Sequence, residues 1–375
     1  MSVQAPEAAR VRLPQARGDV SEALLRLVAG QGATAADVVA AARAVAPGRE
    51  AAQVLGDEDL QLALWLLYEA HYRGAGGLLD RWEWDLELLG ARAVLEEHLE
   101  AALRELVQAP DVAPGDVAEA LFELTAPDGK PGLAAFMARR ATLDQWREWF
   151  VHRSVYQLNE ADPHTWAIPR LSGAPKAALV EVQADEYGGG SPERMHSALF
   201  ARSMRGVGLV DDYTEHLDSV PALSLAVVNT VTFFGLHRRL LGAVVGHLAG
   251  YEMTSSLPHR LYGNGLRRLG FDKDVTWFFD EHVEADAVHE QIVGRDLAAG
   301  LAAQEPWRTG DIMFGAAAGL AVADLAGAHF LSCWEAGRSS LRAPLTALLD
   351  TAQGAADGGA QHTAQGAEEG TALAG

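Results

Sequence analysis

Apolar residues recur with a helical period along most of this chain, and the alternating pattern of a β-strand is nearly absent. The stretches DEDLQLALWLLYEAHYRG and TLDQWREWFVHRSVYQL both show the helical period. A helix or a strand can bury one face only when its apolar residues recur with the period of that structure. This pattern therefore predicts an all-α fold. Segments rich in glycine and proline separate the predicted helices, at RGAGG, TAPDGKPG, YGGGSP, SSLPHRLYGNG and AAQEPWRTGD.

Two histidines and an aspartate, His282, Asp286 and His289, form the pattern H-x-x-x-D-x-x-H. On a helix, steps of four and seven residues return to within about 40° and 20° of the starting direction, so the three side chains share one face. Random placement of the same residues would produce the pattern roughly 0.03 times. A solvated polar face, which the neighbouring Glu281 and Glu284 would suit, is the alternative. The spacing indicates metal ligands if further ligands lie elsewhere in the chain.

Composition narrows the classes of partner and of metal site. The formal net charge of −21 argues against nucleic acid and anionic membranes as partners, because the field would repel phosphates. The single cysteine, Cys333, excludes an internal disulfide framework and a cysteine-based zinc cluster. The N-terminus lacks the apolar run of a signal peptide, and we expect a cytoplasmic protein. The most apolar stretch, which begins at Ile312, is interrupted by Asp324 and predicts a closely packed core helix.

The pattern along the chain predicts three parts. Residues 1–55 read as an N-terminal extension with one or two helices. Residues 56–349 read as one helical domain, with the metal-site core at about 150–300. Residues 350–375 are rich in Gly, Ala and Gln without a periodic apolar face, which predicts a disordered tail.

Further candidate ligands precede the histidine pattern. Glu186 lies ten residues before His196, and the intervening YGGGSP would interrupt a helix and allow both side chains to reach one point, with Ser191 as the cap of the next helix. Glu252 lies in an apolar helical stretch that begins near Pro221. Because a buried unpaired carboxylate is costly, Glu252 is also a candidate ligand.

Three strings resemble the bacterial iron-containing redox enzyme family, which is part of the haem-oxygenase-like diiron oxidases and oxygenases. They are RSVYQLNEADPHTWAIPRLSGAPKAALVEVQADEYGGG, GLHRRLLGAVVGHLAGYEMTSSLP and FFDEHVEADAVHE, and the resemblance spans roughly residues 150–300. It implies a haem-oxygenase-like helical bundle that holds two iron ions. Carried over by position, the implied metal ligands are Glu186, His196, Glu252, His282, Asp286 and His289, with Glu160 as an auxiliary ligand.

The resemblance also implies the chemistry. A non-haem diiron enzyme of this kind uses O₂ to oxidise a small organic substrate by N-oxygenation, hydroxylation or oxidative C–C cleavage. An external electron donor and a homodimer are further expectations. The charges of the site support this choice of carboxylates. Two Fe(II) ions carry +4 and Glu186, Glu252 and Asp286 carry −3, so the carboxylate of Glu160 would make the site neutral.

Several other interpretations stay open at this stage. Glu193 and His196 form the E-x-x-H pattern of ferritin-like diiron proteins, in which Glu193 would replace Glu186. A non-catalytic iron-binding or sensory protein is a second alternative. A haem oxygenase would need a proximal histidine, and His237 and His247 are the candidates, although a core role is favoured for both.

Some polar and aromatic residues have an uncertain role around the predicted site. Glu181 is either a carboxylate that orients a histidine or a surface residue, and His164 is expected to make a loop hydrogen bond. Tyr187, Phe234 and Trp277 are weak candidates for a substrate pocket, because aromatic residues are more often part of a core.

Overall fold

Helices make up all of the regular structure in the part of the chain that can be described. The computed structural model describes residues 13–127, 129, 132–343 and 345, and none of these residues lies in a β-strand. The predicted all-α fold is therefore confirmed. The predicted disordered tail lies outside the described residues, and the predicted domain boundaries stay predictions.

Seventeen α-helices are found among the described residues, and short 3₁₀ turns connect several of them. A π-helical segment, Ile292–Ala298, directly follows α15. The helices are α1 (Asp19–Val28), α2 (Ala35–Ala44), α3 (Ala51–Leu55), α4 (Glu58–Glu69), α5 (Gly74–Gly77), α6 (Leu86–Leu106), α7 (Val117–Leu124), α8 (Leu133–Arg139), α9 (Leu143–Gln157), α10 (Asp162–Thr165), α11 (Gly173–Glu186), α12 (His196–Gly206), α13 (Ala222–Leu236), α14 (Leu241–Arg268), α15 (Lys273–Gln291), α16 (Ala299–Gln304) and α17 (Thr309–Glu335).

The core is built around α4, α13 and the first half of α14, which bury nearly all of their residues. Helix α13 packs on α4 and α17, and α14 packs on α15 and α17. Three helices, α1 to α3, lie in the described part of the N-terminal extension, residues 13–55, where one or two were predicted. Their apolar residues, such as Leu24, Val38 and Leu55, join the same hydrophobic core, and the three helices pack against α4 and α6.

Glycines allow α14 and α17 to approach each other closely. A Cβ atom added to Gly246 would lie 1.8 Å from the carbonyl oxygen of Ile312, and one added to Gly315 would lie 2.0 Å from that of Ala243. No side chain fits at either position. The apolar stretch that begins at Ile312 therefore packs closely against another helix, as predicted.

Helix α17 also passes a test for a membrane span by length and composition. The segment Pro306–Glu335 has a mean hydropathy of 1.4 over its most apolar window, and 44% of that window is buried inside the protein. Among the described residues it is the one helix that passes. Such a result is typical both of core helices and of membrane spans, and here the helix packs along α14.

The break predicted at SSLPHRLYGNG is wrong, because α14 runs without interruption through this segment and contains Pro258. The glycines that suggested a loop are positions of close packing. A Cβ atom on Gly265 would lie 2.6 Å from the carbonyl oxygen of Met137, and one on Gly263 would contact Phe279 at 3.5 Å. Packing against α8 and α15 thus outweighs the weak helical propensity of the segment.

The apolar stretch that begins near Pro221 is also less regular than predicted. It forms α13 and α14, which are separated at His237 by an extended backbone (φ −98°, ψ 110°) and a 3₁₀ turn. The other predicted breaks, at RGAGG, YGGGSP and AAQEPWRTGD, fall between helices or in segments with left-handed glycines, as does the described part of TAPDGKPG.

Replacement of Gly246 by alanine should destabilise the protein. The added methyl group would overlap the backbone of α17, and overpacking of this kind costs about 1–3 kcal/mol, which exceeds the gain of up to about 1 kcal/mol in helix propensity. Chemical denaturation would measure the free energy of unfolding. Gly90→Ala in α6, where no atom lies within 4 Å of the added Cβ, is the control and should be neutral or stabilising. Equal stabilities of the two variants would contradict the close approach.

Candidate metal centre

Helix α15 carries the H-x-x-x-D-x-x-H pattern on its buried face. His282, Asp286 and His289 are all buried, whereas Val288 is exposed on the opposite side. The side chain of Asp272 caps the start of the helix by accepting a hydrogen bond from the backbone N–H of Asp274. The three residues therefore share one face, as the spacing predicts.

The end of α11 and the start of α12 bring Glu186 and His196 together. Glu186 Oε2 lies 2.9 Å from His196 Nδ1, and both side chains are buried. All three intervening glycines adopt the left-handed backbone region, with φ of 69° at Gly188. The chain therefore leaves the helix between the two residues, as predicted.

The details of this turn differ from the prediction in one respect. Ser191 makes no side-chain capping hydrogen bond, and Pro192 begins a 3₁₀ turn rather than the next helix. Helix α12 begins only at His196, because the chain still has to reverse after the glycines. A Cβ atom on Gly188 would lie 2.6 Å from the backbone nitrogen of Met195, so this glycine is required for the chain to fold back on itself.

Four side chains form the first cluster of possible ligand atoms. One nitrogen or oxygen from each of Glu160, Glu186, His196 and His282 lies within 4.8 Å of the others. Glu160 follows the end of α9 and precedes Ala161, whose φ of 73° is rare for a residue with a side chain. Such backbone strain is often found at functional sites.

A second cluster shares Glu186 with the first one. It consists of Glu186, Glu252 and His289, again with one ligand atom from each residue within 4.8 Å of the others. Asp286 lies beside this cluster, with its Oδ1 atom 4.0 Å from His289 Nδ1. All seven residues that the sequence singled out thus lie in one region, with Glu186 between the two clusters.

Opposite charges stabilise each other in this region despite burial. Burial alone would raise the pKa of Glu186, but His196, His282 and His289 lower it to about 2. Burial alone would lower the pKa of each of these histidines, yet the surrounding carboxylates raise all three to about 9. Burial and the neighbouring Glu252 raise the pKa of Asp286 well above its ordinary value.

Two buried carboxylate oxygens near the clusters lack a hydrogen bond. They are Glu160 Oε2 and Asp286 Oδ2. A buried polar atom without a partner costs about 1–3 kcal/mol, so these atoms call for a further binding partner. Imidazole and carboxylate donors without a thiolate suit iron better than a structural zinc site. The side chains present therefore fit iron.

Hydrogen bonds fix two of the histidine rings. Nδ1 of His282 bonds to the backbone oxygen of Phe278 at 2.7 Å, so this nitrogen carries the proton and Nε2 faces Glu160. Nε2 of His289 contacts Asp185 Oδ2 at 3.1 Å, while Nδ1 faces Glu252. A carboxylate that accepts the outer N–H of a metal-binding histidine orients the ring and raises its basicity.

Asp185 was missed by the sequence analysis, which considered Glu181 for this role. Glu181 is exposed, and Asp185, four residues later on α11, makes the contact with His289. Both side chains are exposed and lie one helical turn apart on α11, so the two residues differ only in which of them lies next to His289. The adjacency of Asp185 to Glu186 was the available signal.

His259 was also missed. It is mostly buried, its Nδ1 lies 3.7 Å from Asp286 Oδ2, and its ring lies 4.2 Å from that of His282. It follows Glu252 by seven residues on α14, which returns it to the same face of the helix. The incorrect loop prediction for this segment concealed the spacing.

The alternative residues lie outside the two clusters. Glu193 is exposed and belongs to neither. Nε2 of His164 contacts Nδ1 of His247 at 3.1 Å, and His237 contacts Glu96 at 2.9 Å. His247 is therefore a core residue, whereas His237 is only partly buried and pairs with Glu96; His164 is buried in α10 and makes its hydrogen bond there rather than in a loop.

The three aromatic candidates for a substrate pocket are bonded or packed within the protein. The Tyr187 hydroxyl donates to Asp162, and Trp277 Nε1 donates to Glu281. Phe234 is fully buried against other aromatic rings. Their contact with a substrate stays a prediction.

Comparison with known proteins agrees with this arrangement. Residues 147–324, just under half of the chain, match the model of a family described as iron-containing redox enzyme, so this part of the chain is similar to that family. It contains both clusters and has the haem-oxygenase-like helical fold that the resemblance implied. The chain also resembles a nitrosourea synthase of Streptomyces achromogenes subsp. streptozoticus, with 31% identity over 145 residues. That match covers 38% of this chain and 30% of the relative, so the chain spans under a third of the relative's length.

Gly188→Ala should reduce metal binding although it removes no ligand atom. The alanine would be strained at a φ of 69° and would overlap the backbone of Met195, so the turn would open and separate Glu186 from His196. Iron content after anaerobic loading is the measurement. Gly189→Ala has similar backbone strain but open space around the added Cβ, and it should lose less iron. Equal iron loading of the two variants would contradict this role of Gly188.

Asp185→Asn should weaken metal binding by about 10–100-fold, because the acceptor of the outer N–H of His289 loses its charge. A competition titration with a chelator would measure the affinity. Glu181→Gln removes the same charge from the exposed face of the same helix and is the matched control. If both variants bind metal equally well, the contact of Asp185 with His289 has no role in metal binding.

Proposed function

We propose that this protein is a non-haem diiron enzyme that uses O₂ to oxidise a small organic substrate. The observation that carries the proposal is the pair of buried carboxylate–histidine clusters that share Glu186. A shared carboxylate suits two metal ions that lie close together, as in two-metal sites about 3.5–4 Å apart. The match of residues 147–324 to the iron-containing redox enzyme family supports iron as the metal.

The two clusters divide the proposed ligands between the two ions. Glu160, His196 and His282 would hold one iron, and Glu252, Asp286 and His289 would hold the other, with Glu186 between them. Four carboxylates balance the +4 charge of two Fe(II) ions, so the filled site would be neutral in the protein interior. The three histidines bind metal as neutral rings and have to release their extra protons first.

The residues of this chain orient the ligands and keep the site dry. When bound, the iron pair supplies the redox chemistry by which O₂ oxidises an organic substrate. The backbone oxygen of Phe278 holds His282 in one tautomer, and Asp185 orients His289. The ligand side chains are buried, which limits the access of water to the site.

The reaction belongs to one of three types: N-oxygenation, hydroxylation or oxidative C–C cleavage. The name of the related nitrosourea synthase describes the formation of an N-nitroso product, which supports oxidation at nitrogen as one option. A small-molecule substrate and an external electron donor are the partners that this chemistry requires.

The alternatives have less support. A ferritin-like site would require Glu193, which is exposed and belongs to neither cluster. A haem protein would require a proximal histidine with room for a haem beside it, but Nε2 of His237 contacts Glu96 and the fully buried ring of His247 packs against Gly319 of α17. An iron-binding protein without turnover would share the metal site, and only oxygen consumption that depends on a substrate distinguishes it.

Wild-type protein loaded with Fe(II) under anaerobic conditions should bind two irons per chain. Mössbauer spectra should show their joint oxidation on exposure to oxygen. His289→Ala should bind one iron or fewer with its helical circular dichroism retained, because it removes a ligand of the second cluster.

His237→Ala is the control, because His237 contacts Glu96 and belongs to neither cluster. It should keep two irons. Unchanged two-iron loading of the His289→Ala variant would refute the proposed ligand set, and a Soret band in the optical spectrum would indicate haem instead.

A further inference from the structure

Glu160, the auxiliary ligand of the first cluster, lies in a turn with an unusual backbone. The next residue, Ala161, has a φ of 73° and a ψ of −31°, outside the regions that residues with a side chain normally adopt. Among the described residues, Ala75 is the one other non-glycine residue with a positive φ. A strained turn of this kind persists only where the surrounding contacts hold it in place.

The carbonyl oxygen of Ala161 is held by hydrogen bonds from two helices. The backbone N–H groups of His164 and Thr165 donate to it from α10, at 3.2 and 3.3 Å. Nε2 of Gln183, a buried residue of α11, donates to it at 3.2 Å. The bonds from α10 are local, so Gln183 is the contact that fixes the strained turn relative to α11.

A second contact ties the same segment to the end of α11. The hydroxyl of Tyr187 donates to Asp162 at 2.7 Å and lies 2.9 Å from the hydroxyl of Thr165. Tyr187 directly follows Glu186, the carboxylate that both clusters share. Helix α11 therefore carries Glu186 and also holds the segment that places Glu160.

The two carboxylate oxygens of Glu160 have different surroundings. Oε1 accepts a hydrogen bond from Nε2 of Gln157 at 2.8 Å and lies 3.6 Å from Nε2 of His282. Oε2 is buried and has no hydrogen-bond partner. Gln157 is buried at the end of α9, so its amide is held close to the carboxylate. This arrangement leaves Oε2 as the oxygen that is free to bind a metal ion.

We propose that Gln183 and Gln157 are positioning residues for Glu160. Gln183 holds the strained turn at Ala161, and Gln157 holds Oε1, so that Glu160 binds the iron of the first cluster through Oε2 alone. A carboxylate that binds through one oxygen occupies one coordination position, and open positions are typical of iron sites that react with oxygen. This inference rests on the proposed function, because it concerns the ligands of an iron ion.

Gln157→Met and Gln183→Met test the two contacts, because methionine has nearly the shape of glutamine but no amide. Each variant should weaken the binding of one Fe(II) ion by roughly 10–100-fold and leave the other ion bound as in the wild type. Anaerobic titration against a chelator measures the two affinities. In Mössbauer spectra, both variants should change the same Fe(II) doublet that Glu160→Ala changes, which identifies the affected ion as that of the first cluster.

Gln61→Met is the matched control. Gln61 is a buried glutamine of α4 whose amide donates to the backbone oxygen of Val54 at 3.1 Å, and it belongs to neither cluster. Its replacement should destabilise the fold but leave both iron affinities unchanged. An equal loss of iron affinity in Gln61→Met and Gln157→Met would show that general destabilisation is responsible, and it would refute the proposal.

Ala161→Gly tests whether Gln183 acts by holding the strained turn. Glycine adopts positive φ about as readily as negative φ, so the turn no longer needs Gln183 to hold it. The loss of iron affinity caused by Gln183→Met should therefore be at least about threefold smaller in the Ala161→Gly background than in the wild type. Equal losses in the two backgrounds would refute the role of Gln183.

Circular dichroism checks that each variant is folded. If a methionine variant does not fold, Gln157→Asn and Gln183→Asn keep an amide but withdraw it from its partner, and they should show a smaller loss of affinity for the same ion. Wild-type affinities and spectra in the folded glutamine variants, together with two irons in the wild type, refute this inference alone. A wild-type protein that binds no iron refutes the proposed function, and this inference with it.

Discussion

The contact between Glu186 and His196, 2.9 Å apart in the protein interior, is the interaction on which the candidate metal centre depends. Glu186 belongs to both clusters, so its position decides whether they form one site or two separate ones. A buried charge is tolerated only when opposite charges or metal ions compensate it. Here three histidines and four carboxylates compensate one another, and loss of Glu186 would leave Glu160 as the one carboxylate of the first cluster.

The fold holds these side chains in place through close contacts between backbones. The glycine turn after α11 folds back on itself at Gly188, and α14 packs directly on α17 at Gly246 and Gly315. Helix α14 carries Glu252 and His259 on one face, opposite the buried face of α15. These contacts fix α14, which carries Glu252, against α17, and they fix the turn that places His196 next to Glu186.

Helical period and the H-x-x-x-D-x-x-H spacing are local properties, so the sequence pattern predicted the all-α fold and the shared face of His282, Asp286 and His289. The complete set of seven candidate ligands was implied by the resemblance to the iron-containing redox enzyme family. Errors arose because glycine occurs both in turns and at close contacts between helices. Gly188 forms a turn, as predicted, but Gly263 and Gly265 lie inside a helix, where they allow close packing. A single sequence does not distinguish these uses, since the difference lies in what the neighbouring helix contributes.

Asp185 and His259 were missed for a related reason. Each lies on a helix with many other polar residues, and its role depends on a partner on another helix. Asp185 contacts His289, 104 residues later, and His259 lies 3.7 Å from Asp286 on α15. Such properties follow from the tertiary arrangement alone.

The protonation of the histidines links stability and metal binding. The pKa values of His196, His282 and His289 are raised from 6.5 to about 9, so these rings carry protons at neutral pH when no metal is bound. Their ion pairs stabilise the metal-free fold fully below about pH 6.5, and this contribution is lost as pH rises through about 9. Metal ions bind the neutral rings, so proton competition weakens over the same range. The stabilisation that a bound metal adds therefore increases from about pH 6.5 to 9, the range in which the ion pairs of the metal-free protein are lost. Protonated histidines stabilise the site at lower pH, and bound metal stabilises it at higher pH.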